Sequence, residues 1–326
     1  MDAIFDQGAP PACPAPFNLA AYVLAHAGGL GDKTALSVIA SHGAESWSYE
    51  ALESAVLGAA TGLKQQGLGP GDRLLMRLGN SVEFPICYLA AIAADLIPVP
   101  TSALLTEDEV ARIVEDVAPG LIVAGDGIAV PVNAPCPILS VGAFRALYDL
   151  PPATYALGDP DRPGYIIYTS GTSGSPRAVT HAHQAIWARR MMWDGWYGLT
   201  KDDRLVHAGS FNWTYTLGTG LLDPWSRGAT ALIPASGTTL DRLGALIEAH
   251  GATMFAASPG VYRQLLRTPP DRCPSLRHGL SAGEKLPDAT RDAWEKATGT
   301  PIFEAFGMSE CSTFVSGSPG HPAPTG

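Results

Sequence analysis

The sequence predicts an α/β fold of two similar layered subdomains, each with a largely parallel sheet covered by helices. Three observations carry that prediction. Short apolar runs alternate with amphipathic stretches at helical spacing along nearly the whole chain, as in parallel strands joined by crossover helices. The chain has 326 residues, 46% of them hydrophobic and 16% charged, enough for two substantial cores. A Pro- and Ala-rich stretch from about 136 to 162 interrupts the pattern, which sets the expected units at 1–160 and 161–326.

The elements come in this order. Residues 35–40 read as a strand and Trp47-Ser48-Tyr49 as a brief second one. From about 50 to 66, Leu52, Ala55, Val56, Ala59, Ala60 and Leu63 form one apolar stripe, and Gly67 supplies the stop. Gly69-Pro70-Gly71-Asp72 turns the chain into a strand over 73–78. A helix comes next through Phe84, Tyr88, Leu89 and Ile92, with Asn80-Ser81 as its expected cap. Residues 97–100 return as a strand, Thr106-Glu107-Asp108-Glu109 forms a capping box, and 121–124 is the strand behind that helix. In the second half, strands are expected at 165–168, 204–208, 228–234, 252–257, 280–282 and 302–305. Helices are expected from about 184, at 241–250, after Ser258-Pro259 and at 287–298. Ligands of open α/β sheets sit beyond the carboxyl ends of strands, so the loops after 168, 282 and 305 are expected to converge on one crevice.

Composition narrows the function. Acidic residues number 31 against 21 basic, a net charge of −10 without any Lys/Arg block, which argues against nucleic acid or an anionic membrane as partner. The five cysteines, Cys13, Cys87, Cys136, Cys273 and Cys311, are odd in number and scattered, which fits reduced thiols in a cytoplasmic protein. The most apolar segment, 88–100, is interrupted by Asp95 and is shorter than the about 20 residues a span needs, so no membrane span is expected. A homo-oligomer is left open.

One stretch organises the rest: Tyr168-Thr169-Ser170-Gly171-Thr172-Ser173-Gly174-Ser175-Pro176-Arg177-Ala178-Val179. It comes after an apolar strand and precedes the helix from about 184, so it reads as a turn at a strand-to-helix junction. Its glycines let backbone N–H groups approach a phosphate, the hydroxyls of Thr169, Ser170, Thr172 and Ser173 can donate, and Arg177 adds a permanent charge. ATP or another polyphosphate is the natural guest; a plain Gly/Ser turn is the alternative. A Walker loop is excluded because Pro176 and Arg177 stand where Gly and Lys are required, and a GxSxG elbow is excluded because Ser175 stands two after Ser173.

These twelve residues resemble the signature loop of the adenylate-forming superfamily of acyl-CoA synthetases, adenylation domains and luciferases. Trp47-Ser48-Tyr49-Glu50-Ala51-Leu52, Ser281-Ala282-Gly283-Glu284 and Phe306-Gly307-Met308-Ser309-Glu310 resemble further segments of it, in the family's order, from about residue 33 to the end. The resemblance implies the N-terminal part of an acyl- or aryl-CoA ligase using ATP, Mg2+ and CoA. Thr169, Ser170, Gly171, Thr172, Ser173 and Gly174 would hold the β/γ-phosphates, with Arg177 beside them or paired to a surface carboxylate. Gly283 and Glu284 would offer backbone to the adenine and Phe306, with Gly307, would pack against it. Ser309 would contact the α-phosphate and Glu310 the metal. Phe211, Asn212, Trp213 and Ala282 would line the pocket of a small, medium-chain or aryl carboxylate, interior packing being the other reading of Trp213. His183 is expected to be structural and His207 to be core. The family's catalytic lysine, hinge and small mobile C-terminal domain have no counterpart among Lys33, Lys64, Lys201, Lys285 and Lys296, so a truncated, poorly active portion is expected. A non-catalytic ATP- or acyl-adenylate-binding module and a plain interaction domain are the alternatives.

Overall fold

The computed structural model describes residues 8–169, 177–268 and 273–320, and the side chains within them apart from 312–315. Fourteen strands are described. β1 (Thr34–Ala40), β2 (Gly43–Ser48), β3 (Arg73–Arg77), β4 (Ile97–Pro100), β5 (Leu121–Ala124), β6 (Ile138–Ser140) and β7 (Pro163–Thr169) come first. β8 (Arg177–Ala182), β9 (Arg204–His207), β10 (Thr230–Pro234), β11 (Met254–Ala257), β12 (His278–Ser281), β13 (Ile302–Met308) and β14 (Ser312–Ser316) complete the set.

Eight strands form one sheet in the order β14-β13-β12-β11-β9-β10-β1-β2, parallel throughout its interior and antiparallel at both edges. Four form a second, wholly parallel sheet, β4-β3-β5-β6, and β7 and β8 make an antiparallel hairpin that lies alongside β4. The α/β class with mostly parallel sheets is therefore as the sequence predicts. The larger sheet takes β1 and β2 from before residue 160 and its other strands from after it, so sheet membership does not follow the midpoint of the chain.

Local sequence accounts for most elements. On the helix Tyr49–Gln65 all six residues of the apolar stripe are buried. The helix Glu83–Ala93 is buried on every side because it lies within the main core, which suits its unbroken run of small and apolar residues. Thr106 and Glu109 make the reciprocal capping box at the start of Glu107–Val117.

Two expectations fail for tertiary reasons. The glycine- and hydroxyl-rich stretch joins two antiparallel strands and not a strand to a helix: Tyr168 pairs with Ala178 and Thr169 with Arg177, and β-branched Val179 and Thr180 continue the ladder. Asn80 caps no helix. Its Oδ1 accepts from the Phe211 N–H (3.1 Å) and its Nδ2 donates to the Gly209 carbonyl (2.9 Å), tying the smaller sheet's loop to the one after β9. No helix among the described residues is long and apolar enough to cross a membrane.

Candidate active site

Strands β9, β11, β12 and β13 run parallel, so the loops after them open at the same edge of the large sheet. There they enclose a cavity of about 260 Å3. Ala282 and Gly283 after β12, Gly307, Met308 and Ser309 at the end of β13, and Trp213, Thr214 and Tyr215 after β9 form its walls, with Arg189 and Thr219 on the inner side. Gly283 has φ +98°, a conformation that side chains disfavour, and this turns its backbone toward the cavity rim. The Thr214 hydroxyl donates to Ser309 Oγ (3.0 Å), joining the loop after β9 to the one after β13.

Two further cavities adjoin. One of about 320 Å3 is lined by His207, Ser210, Asn212, Ser258 and Ser102, and shares Trp213 with the first. The other, about 270 Å3, is lined by Tyr165, His181, Leu217, Gly218 and Glu310, and shares Arg189 and Thr214 with the first. Hairpin strand β8 thus brings His181 to the same cavity as Glu310. Burial is the main cause lowering the His181 pKa, with the Ser309 backbone and Glu310 pulling the other way.

The inner side carries a buried ion pair. Arg189, 9% exposed, donates through Nε to Asp223 Oδ1 (3.0 Å), and Asp223 is fully buried. The Tyr197 hydroxyl also donates to Asp223 (2.8 Å) and lies 2.8 Å from the Thr219 hydroxyl. Burial opposes charge on Arg189, but the Asp223 carboxylate outweighs it and holds the guanidinium above its ordinary pKa.

The sequence-predicted residues divide. Ala282, Gly283, Gly307, Ser309, Trp213, Asn212 and Glu310 all border this cluster of cavities. Phe211 does not: it is 1% exposed and stacked on Phe84 (centroids 5.0 Å apart), so its ring is core and only its neighbours face the ligand space. Glu284 is exposed, with its carboxylate 3.7 Å from Arg263, and Phe306 is 58% exposed beside the cavity mouth. Thr169 ends β7, and Arg177 begins β8 exposed and without an ion pair among the described residues. Ser170, Gly171, Thr172, Ser173 and Gly174 lie outside the described residues.

His183 is structural, as expected, but it serves a different helix. It is fully buried and its Nδ1 accepts from the Leu19 N–H (3.1 Å), which leads Leu19–Val23. His207 is buried, as expected of core, but it also lines the second cavity. Its Nδ1 accepts from the Gly209 N–H (3.0 Å), leaving the proton on Nε2, which has no partner among the described residues. Reasoning from sequence missed Arg189, Tyr215, Thr219 and Asp223; the adjacent Arg189-Arg190 in an acidic chain was the available signal.

A family model described as AMP-binding enzyme matches residues 24–326. A 3-hydroxybenzoate–CoA ligase of Aromatoleum sp. (strain CIB) is 30% identical over 82% of this chain and 55% of its own length. A 3-hydroxybenzoate–CoA/4-hydroxybenzoate–CoA ligase of Thauera aromatica is 28% identical over 86% and 57%. Among solved structures, a benzoate CoA ligase from Burkholderia xenovorans LB400 superposes with a TM-score of 0.85 at 26% identity, over 94% of this chain and 66% of that one. The chain therefore spans about half the length of the curated relatives it matches.

Proposed function

Because the chain belongs to the AMP-binding enzyme family, we propose that it forms the adenylating part of an aryl- or acyl-CoA ligase. The proposed reaction is ATP-dependent activation of a small, medium-chain or aryl carboxylate as acyl-adenylate, followed by thioesterification to CoA. One observation carries the reading: Gly283, Ser309 and Thr214 border one cavity at the carboxyl ends of parallel strands, with Glu310 on the adjoining one. The donor set suits a polar ligand. Ser281 Oγ, Thr216 Oγ1 and His207 Nε2 are buried without hydrogen-bond partners among the described residues; Ser281 and His207 end β12 and β9, and Thr216 opens the helical segment Thr216–Leu222.

In this reading a carboxylate oxygen attacks the α-phosphorus and the bond to pyrophosphate breaks, with the electron pair leaving on pyrophosphate. A thiolate sulfur then attacks the acyl carbon, and AMP departs. Ser309, held by Thr214, orients the α-phosphate, and Gly283 with Glu284 offers backbone to the adenine beside Phe306 and Gly307. The loop from Thr169 to Gly174, with Arg177, receives the outer phosphates. Among the described residues no three His, Cys, Asp or Glu side chains cluster as a metal site, so Glu310 would be the protein's ligand to a cation carried by the nucleotide. Mg2+ bound there would offset the phosphate charge that repels the incoming carboxylate. Trp213 and Ala282 on the first cavity, with Asn212 on the second, are proposed to line the pocket of the carboxylate. Most of the catalysis is positioning and charge stabilisation.

Calorimetric titration of the chain with Mg-ATP and with a benzoyl-sulfamoyl adenosine, a stable acyl-adenylate analogue that needs no metal, tests this. Both are expected to bind. Glu310→Gln is expected to weaken Mg-ATP about tenfold, the loss of one charged contact worth roughly 1.4 kcal/mol, while changing the analogue less than about twofold. Absence of heat with both ligands overturns the reading.

A further inference from the structure

Between the first and third cavities stand two side chains, Thr214 and the charged Arg189. Arg189 lines both, at about 260 and 270 Å3, and its guanidinium is fixed from three sides. Asp223 takes Nε at 3.0 and 3.2 Å, Nη2 reaches the Tyr197 oxygen at 3.2 Å, and Trp193 Nε1 braces the carboxylate at 3.4 Å. The fourth constraint is steric. A Cβ built on Gly218 would stand 2.5 Å from Arg189 Cζ, 2.6 Å from Nη2 and 2.8 Å from Nη1, nearly over the centre of the guanidinium plane. The guanidinium therefore packs face-on against the glycine backbone of Thr216–Leu222, and only glycine leaves room for it.

We infer that the Arg189–Asp223 pair is the partition that sets the depth of the acyl pocket, making Arg189, Asp223 and Gly218 specificity-determining residues for a single-ring aryl carboxylate. The inference rests on the reading that the first cavity takes the acyl group. Gly283, Gly307 and Ser309 are given to the nucleotide, so the acid is left the inner end of this cavity of about 260 Å3, beside Ala282, Thr219 and Arg189, which suits a compact one. The space that a longer acid would need lies behind Arg189, in the part of the third cavity lined by Leu217, Gly218 and Leu222, and reaching it means displacing a buried, paired charge. Breaking such a pair by moving one partner is costly because it strands the other. The pocket thus rejects length through the cost of disturbing the pair, and not through hydrogen bonds offered to the ligand.

The test compares two stable adenylate analogues, benzoyl- and biphenyl-4-carbonyl-sulfamoyl adenosine, by calorimetry on the full chain. The native chain is expected to bind the benzoyl analogue at least about tenfold more tightly. Arg189→Ala combined with Asp223→Asn, which removes the partition without stranding a charge, is expected to bring the two affinities to about parity. Gly218→Ala keeps the pair but tips the guanidinium off its seat, and is expected to weaken the benzoyl analogue about tenfold with the thermal melt still cooperative. Equal binding of both analogues by the native chain sinks the partition, as does an unchanged preference in the folded double variant or an unchanged affinity in Gly218→Ala. Each of those leaves the proposed function standing. A native chain that binds neither analogue overturns both together.

Discussion

Burial keeps three histidines neutral in the fold. The pKa of His207 is held down at about 3 and those of His183 and His278 at about 4, in each case chiefly by burial, against an ordinary value of 6.5. Between about pH 6.5 and pH 4 the unfolded chain takes up protons that the native chain refuses. Stability from these groups is therefore complete above pH 6.5, is lost as pH falls through that window, and stops falling below the native pKa values. His183→Gln keeps an acceptor for the Leu19 N–H while removing one titration. It is expected to lower the slope of unfolding free energy against pH, between 6 and 4.5, by about 1.4 kcal/mol per pH unit. Denaturant melts at several pH values measure this; an unchanged slope would mean His183 is already protonated in the fold. At this scale the sequence is uneven. Ser309 and Gly283 stand in segments marked by their resemblance to the family, whereas Asp223 meets Arg189 across 34 positions that no local pattern links. Phe211 was legible only as an aromatic in a loop, and it is its stacking partner Phe84, on another element, that makes it core.

Among elements, those with local signals were legible. The capping box at Thr106, the stripe of the Tyr49–Gln65 helix and most strands of the two sheets arise from period and caps, whereas β6, inside the Pro- and Ala-rich stretch 136–162, and β14 were not read. The hairpin of β7 and β8 was not, because a single strand read before a glycine-rich turn predicts the next element only weakly, and the antiparallel pairing is itself the tertiary fact. The loop 209–213 shows how elements hold a site. Asn80, between β3 and the next helix, makes two hydrogen bonds to it. Asn80→Ala would leave the Phe211 N–H and Gly209 carbonyl without those bonds and free Trp213 and Thr214 to wander. The expected cost is about 1–3 kcal/mol of stability, together with a loss of affinity for the benzoyl analogue larger than the shift in melting midpoint alone explains. Parallel melts and titrations decide it; unchanged affinity would show that Phe84 alone fixes the loop.

Across the whole molecule, the eight-stranded sheet crosses the chain's midpoint. Without β1 and β2, β10 would present a bare parallel edge, and the Trp225 indole would lose the Ala35 carbonyl it donates to (2.8 Å). Residues 161–326 expressed alone are therefore expected to be insoluble or molten, and to recover cooperative unfolding only when residues 1–160 are supplied; a sharp melt from the isolated half would refute this. Of seven tryptophans, only Trp213 is exposed, and it stands between two cavities. The fold has thus built an optical gauge into its own doorway. Iodide in solution will quench this indole preferentially, and the shielding it gains as each side fills gives a label-free readout of the order in which ligands arrive.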